Sequence, residues 1–228
     1  MKIVIFSGAG ISAESGIKTF RDSGGLWEDY NIDDVATPEG WRKNFELVLD
    51  FYNQRRKQVM EAKPNDAHQA LVELEQHFDV KIITQNIDDL HERAGSKNVL
   101  HLHGEIKKSK STLNPSIIYD IEGWELHPGQ NCEKGSQLRP HVVWFGEEVP
   151  EMENAARMVS EADVLIVIGT SLNVYPAASL LYYAKPGART YLIGPEAETR
   201  QGIGDLHVIK ELASKGVRGL VKRLIHSK

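Results

Sequence analysis

The stretch Ile3-Val4-Ile5-Phe6-Ser7-Gly8-Ala9-Gly10-Ile11-Ser12-Ala13 decides the fold, because an apolar run ends there in a glycine-rich turn. The run predicts a buried first strand, and the residues after the turn predict the start of a helix. Gly8-x-Gly10-x-x-Ala13 fits the dinucleotide fingerprint: Gly8 permits a tight turn, Gly10 admits a phosphate and Ala13 keeps helix and strand close. Exposed N–H groups at the helix start favour an anion. Such turns also occur without any ligand, so phosphate binding is one of two alternatives.

Length, charge and cysteine content limit the class of protein. A chain of 228 residues holds one large domain, or a large and a small one, with an ample core. Its net charge of -5 argues against a general nucleic-acid-binding protein. No apolar run approaches the roughly 20 residues of a membrane span, and no signal peptide is evident. The one cysteine, Cys132, excludes an intramolecular disulfide. We predict a cytoplasmic protein with neither nucleic-acid nor membrane partners.

Strand and helix patterns alternate along the rest of the chain. Strands are predicted at 79–84, 98–102, 162–169, 189–193 and 207–210, and helices at 44–61, 66–78, 151–161, 176–184 and 214–225. This alternation predicts an α/β fold with a doubly wound parallel, Rossmann-like sheet. Residues 18–43 suit a long ordered loop that acts as a lid. Residues 106–139 predict a small module outside the main sheet.

Polar residues follow several of the predicted strands. Because ligands on such sheets bind at the carboxyl ends of strands, these residues should converge on one crevice: Gly8-Ala9-Gly10, Gln85-Asn86-Ile87-Asp88, His103 and Gly169-Thr170-Ser171. A dehydrogenase would need a second strand about 20 residues after the fingerprint, ending in a carboxylate for the ribose. Here the next strand begins near Asp79 and ends in Thr84-Gln85-Asn86. The site is therefore dinucleotide-like, but not that of a standard hydride-transferring enzyme.

An ordered set of motifs runs from residue 3 to about residue 195. It comprises Gly8-Ala9-Gly10-Ile11-Ser12, Ser15-Gly16-Ile17 with Phe20-Arg21-Asp22, Thr84-Gln85-Asn86-Ile87-Asp88, His103-Gly104, Val143-Trp144-Phe145-Gly146-Glu147, and Gly169-Thr170-Ser171 with Val174 and Pro176. The set resembles the sirtuin family, the NAD-dependent protein-lysine deacylases. The resemblance implies a single catalytic domain over residues 1–228. Its large Rossmann-like part would comprise approximately 1–35, 79–103 and 141–228, and its small part 36–78 and 104–140.

The resemblance implies a reaction in which NAD is consumed as a co-substrate. In sirtuins the acyl-lysine carbonyl oxygen attacks C1′ of the nicotinamide riboside, nicotinamide leaves and an O-alkylamidate forms. A histidine then acts as general base on the ribose hydroxyls, and the products are deacylated lysine and O-acyl-ADP-ribose. His103 matches that histidine, and a neutral imidazole suits the role. His101, two residues earlier, is expected to point to the opposite face, and His68 to be structural at a helix start.

The resemblance also assigns the residues around NAD. Asn86 and Asp88 match those that orient the nicotinamide end, and with His103 they form the implied catalytic set. Implied NAD contacts are Gly8, Ala9, Gly10, Ile11, Ala13, Phe20, Arg21, Gln85, Ile87, Gly169, Thr170 and Ser171. Two alternatives stay open. Asp88 also suits a helix N-cap, and a hydroxyl pair such as Thr170-Ser171 after a strand is an ordinary cap.

The implied partner is an acyl-lysine protein or peptide. Val143, Phe145, Gly146 and Val174 match the family residues that hold this peptide as an added strand. Tyr52 and Arg55 resemble the subgroup that removes succinyl, malonyl and related acidic groups, with acetyl-lysine as a further substrate. Residues three apart share a helix face, where arginine binds a carboxylate bidentately and tyrosine adds a hydrogen bond. The alternative is that Arg55 is one charge of an amphipathic helix.

Two features depart from the family pattern. Most sirtuins carry a structural zinc on four cysteines before the Val-Trp-Phe-Gly segment, whereas this region holds only Cys132. We predict no zinc and a small module held by apolar packing, with candidates Ile117, Ile118, Tyr119, Trp124 and Leu126. Sirtuins also usually place an asparagine near the adenosine ribose, where this chain has Gly194.

Other functions fit the same cofactor site. An NAD hydrolase or mono-ADP-ribosyltransferase is the first alternative, and the retained peptide-binding segments favour the deacylase over it. A catalytically silent NAD-sensing module is the second. His103 beside Asn86 and Asp88 argues against that function, because a sensor does not need a base near the ribose. The sequence leaves the oligomeric state and the protein targets open.

Overall fold

The computed structural model describes residues 1–19 and 30–227. Its strands in chain order are β1 (Lys2–Ser7), β2 (Asp79–Thr84), β3 (Val99–His101), β4 (Gly104–Ser111), β5 (Ile118–Asp120), β6 (Leu138–Val142), β7 (Val164–Ile168), β8 (Arg189–Ile193) and β9 (Leu206–Ile209). Its helices are α1 (Gly10–Ala13), α2 (Ile32–Val35), α3 (Pro38–Lys43), α4 (Phe45–Glu61), α5 (Asp66–Glu75), α6 (Leu90–Ala94), α7 (Met152–Ser160) and α8 (Ala213–His226), with a 3₁₀ helix at Ala177–Tyr183.

Six parallel strands form the main sheet in the order β3-β2-β1-β7-β8-β9. The chain leaves β1 toward one side of the sheet and returns at β7 on the other, so the strand order reverses between these two neighbours. In open parallel sheets a ligand crevice lies at this reversal, outside the carboxyl ends of the strands. The predicted α/β, Rossmann-like fold is confirmed.

Both faces of the sheet are covered, as its apolar strands require. Along β1, Ile3 and Ile5 pack with α5 and α8, whereas Val4 and Phe6 pack with α7 and the 3₁₀ helix. Alternate side chains of a strand point to opposite faces, so one short apolar run supplies both cores. The β7 strand is buried over its whole length for the same reason.

Two long helices begin at asparagine caps. The Asn44 side chain accepts a hydrogen bond from the Leu47 amide at the start of α4, and Asn65 accepts one from Ala67 at the start of α5. His68 completes a capping box, since its Nδ1 accepts from the Asn65 amide at 3.3 Å. The expected structural role of His68 agrees with this contact.

A separate antiparallel sheet, in the order β5-β4-β6, forms the small module between β3 and β7. Leu126, Cys132 and Leu138 pack with Leu49 of α4, and Tyr119 lies against them. The Ser111 hydroxyl donates to the Cys132 Sγ at 3.3 Å. The expectation that Ile118 belongs to this packing is wrong: it lies on the edge strand β5 and is 45% exposed.

Two segments differ from the patterns read in the sequence. Residues 18–43 were expected to form a continuous loop, yet α2 and α3 lie within them, capped by Asn31 and Thr37. The segment 176–184, predicted as a helix, forms a 3₁₀ helix over Ala177–Tyr183. Among the residues described, no helix has the length and apolar character needed to cross a membrane.

Candidate functional site

Three glycines interlock at the carboxyl ends of β1 and β7. A Cβ on Gly10 would lie 2.8 Å from Gly169 Cα, and one on Gly169 would lie 2.4 Å from the Ile11 amide nitrogen. A Cβ on Gly8 would lie 2.8 Å from Thr170 Cβ. Gly169 also has a φ of +61°, which glycine adopts without strain. Glycine is therefore needed at these positions because the main chains of the two turns pack directly against each other and leave no room for side chains.

The amides of this turn are used differently from the expectation. Gly10 donates to Gly169 O at 2.8 Å, and Ile11 and Ser12 donate to Gly8 O and Ala9 O. These three N–H groups are not free for an anion, because each already donates to a main-chain carbonyl. Ile11 is buried in the core, so its side chain cannot contact a ligand. The expected packing role of Ala13 is wrong: α1 ends there, and Ala13 faces outward.

Asn86 and Asp88 meet the glycine turn through a shared hydroxyl. Ser12 Oγ donates to Asp88 Oδ2 at 3.0 Å and accepts from Asn86 Nδ2 at 3.1 Å. All three side chains are buried, and burial raises the pKa of Asp88 despite hydrogen bonds from the Leu90 amide and Ser12. The Leu90 amide donates to Asp88 Oδ1 at 3.1 Å, so Asp88 binds the first residue of α6, whose N-cap position is Asp89, and its role at the nicotinamide end stays a prediction. Sequence reasoning quoted Ser12 as part of the first motif but assigned it no role.

His103 follows β3 and faces the same segment. Its Nδ1 lies 3.0 Å from Gln85 O. A carbonyl oxygen only accepts, so the neutral ring carries its proton on Nδ1 and keeps a basic Nε2. Burial lowers the pKa of His103 and the bond to Gln85 opposes that shift, so the ring is neutral at neutral pH. Gln85 Nε2 is buried without a hydrogen-bond partner among the residues described, which suits a polar ligand beside Gly8.

The sequence predicts that His101 points to the face opposite His103. In the structure His101 instead contacts Asn86, the residue after Gln85. Its Nδ1 lies 3.0 Å from Asn86 O. The alternation of side chains along a strand does not relate His101 to His103, because β3 ends at His101 and the chain turns before His103.

Tyr52 and Arg55 lie on the inner side of α4, 4% and 7% exposed. Trp144 Nε1 donates to the Tyr52 hydroxyl at 3.1 Å. Burial raises the pKa of Tyr52 to about 12 and lowers that of Arg55 to about 10, while the Asp88 carboxylate acts on Arg55 in the opposite direction. Tyr52 and Arg55 therefore do not lie on a solvated face of α4. Asp88, whose charge acts on Arg55, belongs to the network around Ser12.

The predicted peptide edge follows β6. The Val143 amide donates to His103 O at 2.9 Å and the Phe145 amide to Ala36 O at 3.0 Å, which ties this segment to the His103 loop. Phe145 is 49% exposed and Gly146 has a φ of +86°. Val174 lies half-buried before the 3₁₀ helix.

Arg139 and Glu147, which sequence reasoning left unassigned, brace this edge. Two Arg139 nitrogens lie 2.7 and 3.0 Å from the Glu147 carboxylate oxygens, and the guanidinium lies 3.2 Å from the centre of the Trp144 ring. Glu147 also accepts from the Trp144 amide at 2.8 Å.

The remaining predicted residues divide into three groups. Thr170 Oγ1 accepts from the Leu172 amide, the capping alternative, while its Cβ borders Gly8. Ser171 is exposed, and Ile87 packs half-buried beside α4. Phe20 and Arg21 lie outside the described residues.

Over residues 1–19 and 30–227, no cluster of three or more His, Cys, Asp or Glu is placed to hold a metal, so the absence of zinc stays a prediction.

Comparison with known proteins gives the family. Residues 8–176 match the model of the Sir2 family. The chain belongs to this family. The NAD-dependent protein deacylase of Bacteroides thetaiotaomicron is 52% identical over 228 residues, covering 98% of this chain and 97% of that protein. The sirtuin resemblance is therefore confirmed.

Solved Sir2 structures share the whole architecture. A Sir2 homolog–NAD complex matches with a TM-score of 0.89 and 42% identity, over 99% of this chain and 90% of the other. A Sir2 protein with a deacetylated p53 peptide and 3′-O-acetyl-ADP-ribose matches with a TM-score of 0.82 and 30% identity, over 99% and 92%.

Proposed function

We propose that this protein is an NAD-dependent protein-lysine deacylase that removes acidic acyl groups such as succinyl and malonyl, with acetyl-lysine as a further substrate. The observation that carries the proposal is the tautomer of His103. Its Nδ1 proton is held by Gln85 O, which leaves Nε2 as a base beside the buried Asn86 and Asp88. Relatives that cover nearly the whole chain are named NAD-dependent protein deacylases, which supports the same reaction.

The cofactor fits residues at the reversal between β1 and β7. Gly8, Gly10 and Gly169 hold the turns after β1 and β7 tightly together at this point, and the Gln85 amide, buried without a hydrogen-bond partner among the residues described, lies beside Gly8. Asn86 and Asp88, held by Ser12, orient the nicotinamide end. NAD, when bound, supplies the activated ribose that receives the acyl group.

His103 moves the proton. Because burial lowers its pKa, the ring is already neutral at physiological pH and Nε2 accepts a proton from a ribose hydroxyl. The bond from Nδ1 to Gln85 O holds the ring in this tautomer, so no rearrangement precedes the transfer.

Tyr52 and Arg55 provide the acyl preference. The Tyr52 oxygen already accepts from Trp144, so its own proton remains available for an acceptor such as a carboxylate. Arg55 is a buried cation on the same helix face, and a buried cation binds an acidic acyl group more strongly than an exposed one. An acetyl group offers no second charge to this pair.

The broader expectations remain proposals. We propose one catalytic domain over residues 1–228, divided into the large and small parts given above, in a cytoplasmic protein without structural zinc. Apolar packing around Cys132 takes the place of the metal. A stoichiometric zinc signal in the purified protein would contradict this part.

An acyl-peptide panel tests the reaction. Nicotinamide release is measured with succinyl-, malonyl-, acetyl- and unmodified lysine peptides, with His103→Ala as the inactive control. We expect release only with acylated peptides. Equal release without peptide would instead identify an NAD hydrolase, and transfer of ADP-ribose to protein would identify the transferase.

Arg55→Met tests the acyl preference, with Lys57→Met on the exposed side of α4 as its matched control. We expect kcat/KM for succinyl peptides to fall about 10- to 100-fold in Arg55→Met, the range of a lost charge-assisted contact. Acetyl peptides should change little, and Lys57→Met should resemble the wild type. Equal losses on both peptides would rule out acyl recognition by Arg55.

A further inference from the structure

His101, at the end of β3, lies between two hydrogen-bond acceptors. Its Nδ1 is 3.0 Å from Asn86 O and its Nε2 is 2.7 Å from Glu92 Oε1. The side chain is only 9% exposed, so water does not replace either partner. This histidine has no part in the chemistry described so far.

The two contacts determine the protonation of the ring. A carbonyl oxygen accepts only, and an ionised carboxylate accepts only. Both ring nitrogens must therefore donate, which requires the imidazolium. His103 makes the equivalent bond to Gln85 O, but within the described part of the chain no carboxylate hydrogen-bonds to it. His101 and His103 thus bind the carbonyls of two consecutive residues, His101 as imidazolium and His103 as neutral imidazole.

We propose that His101 and Glu92 form a positioning pair, in which a doubly protonated imidazole holds the Asn86 main chain, and that activity falls at alkaline pH when this ring loses a proton. The proposal rests on the proposed function, because it acts through Asn86 at the nicotinamide end. Neither His101 nor Glu92 touches the reacting atoms.

The charges around His101 agree with this state. Burial lowers the pKa of His101, but the hydrogen bond and charge of Glu92 on α6 outweigh it, with help from Glu105 on β4, so the pKa is raised. His91 on α6 is neutral because burial depresses its pKa, and it adds no competing charge. His101 in turn favours the ionised form of Asp88. Lys108 neutralises part of Glu105, at 2.8 Å.

Loss of the second proton breaks one of the two contacts. The remaining proton stays with the stronger acceptor, the Glu92 carboxylate, and the Nδ1 lone pair then faces Asn86 O. The Asn86 carbonyl then loses its partner on His101, while the Asn86 amide still donates to Thr84 Oγ1 at 3.0 Å. The Asn86 side chain donates to Ser12, so the network with Asp88 moves with it.

Glu92→Gln separates this mechanism from simple structural support. A glutamine amide can donate to Nε2, so a neutral His101 keeps its Nδ1 proton on Asn86. We expect activity near that of the wild type at neutral pH and no loss at alkaline pH. His101→Leu should lower kcat/KM for NAD about tenfold at every pH, the factor of one lost hydrogen bond, without an alkaline limb.

The matched control is Asp205→Asn. Asp205 also bonds a histidine, His207, at 2.9 Å, but both are half-exposed and lie at β9, away from β3. Asp205 has a φ of +45°, which asparagine tolerates. This variant should keep the wild-type pH profile, including its alkaline limb.

Two readouts decide the outcome. Long-range ¹H–¹⁵N spectra of the wild type at pH 7 should show His101 as imidazolium and His103 as neutral imidazole. The signals are assigned with His101→Leu or, if that variant does not fold, by direct correlation. A neutral His101, or an alkaline limb that persists in Glu92→Gln, overturns the proposal. Absence of any NAD-dependent turnover by the wild type instead overturns the proposed function and the catalytic consequence, while the spectra still decide the charge state.

Discussion

The proposed nucleotide end of the site is built from main chain, whereas the proposed acyl end is built from side chains. At the nucleotide end, Gly8, Gly10 and Gly169 pack backbone against backbone. At the acyl end, Tyr52, Arg55 and Trp144 project from α4 and from the segment after β6. The difference teaches that the geometry of the proposed nucleotide end depends on the pairing of the sheet strands, so a small change there affects folding. At the proposed acyl end, side chains can be exchanged with less effect on the fold.

The largest effect is expected at the nucleotide end. Gly169→Ala places a methyl group 2.4 Å from the Ile11 nitrogen at a φ of +61°. Backbone strain plus displacement of the turn should cost about 3–5 kcal/mol and lower Tm by roughly 10 °C, with loss of NAD binding. Thermal unfolding and NAD titration measure both.

Gly187→Ala is the control for Gly169→Ala. It has a similar φ of +84° but nothing within 4 Å of the added Cβ. It should therefore show only the smaller cost of the backbone conformation, about 1 kcal/mol. Equal Tm losses in the two variants would mean that the interlock contributes nothing.

An intermediate effect is expected from acid, again at the nucleotide end. Burial lowers the pKa of His68 to about 4, and protonation of its Nδ1 would break the capping bond from Asn65. The unfolded chain binds protons below about pH 6.5. Stability should therefore fall from about pH 6.5 down to about 4, by up to about 1.4 kcal/mol per pKa unit.

Denaturant unfolding as a function of pH measures this loss. His68→Gln, whose amide does not titrate in this range, should reduce the slope of the curve between pH 6.5 and 4, while the buried His91 and His103, whose pKa values are also lowered, still contribute. A curve of unchanged slope in His68→Gln would assign the acid loss to other groups.

The smallest effect is expected at the acyl end. Trp144→Phe removes the indole donor to the Tyr52 hydroxyl but keeps an aromatic ring under Arg139. The hydroxyl would then lose its fixed orientation. The ratio of succinyl to acetyl kcat/KM should fall about three- to tenfold, with Tm within about 2 °C of the wild type. A larger loss on acetyl than on succinyl peptides would contradict this role of Trp144.

Local sequence pattern predicts some elements of the fold and misses others. Apolar runs such as 3–6 and 164–168 are buried on both faces, so local pattern alone identifies β1 and β7. The caps Asn44 and Asn65 likewise indicate their helices directly. The β4 strand reads Gly-Glu-Ile-Lys-Lys-Ser-Lys-Ser and is paired by distant segments, which no local pattern reveals.

The candidate site divides in a similar way. His103, Asn86 and Asp88, and likewise Tyr52 with Arg55, are proposed from their resemblance to sirtuin motifs, since spacing on a helix also allows Arg55 to be one charge of an amphipathic helix. The tautomer of His103, the bridge through Ser12 and the charge of His101 depend on which atoms meet after folding. The short caps Asn31 and Thr37 were the available signals for α2 and α3, but the surrounding glycines and aspartates are typical of a loop.

The glycine interlock joins two parts of the chain that are synthesised far apart in time. Gly169 is synthesised 161 residues after Gly8. Until β7 pairs with β1, the turn lacks the Gly169 carbonyl that accepts from Gly10. A nascent chain therefore lacks the glycine interlock until β7 has been synthesised, and a ligand at the proposed nucleotide site would stabilise only the fold in which the interlock has formed.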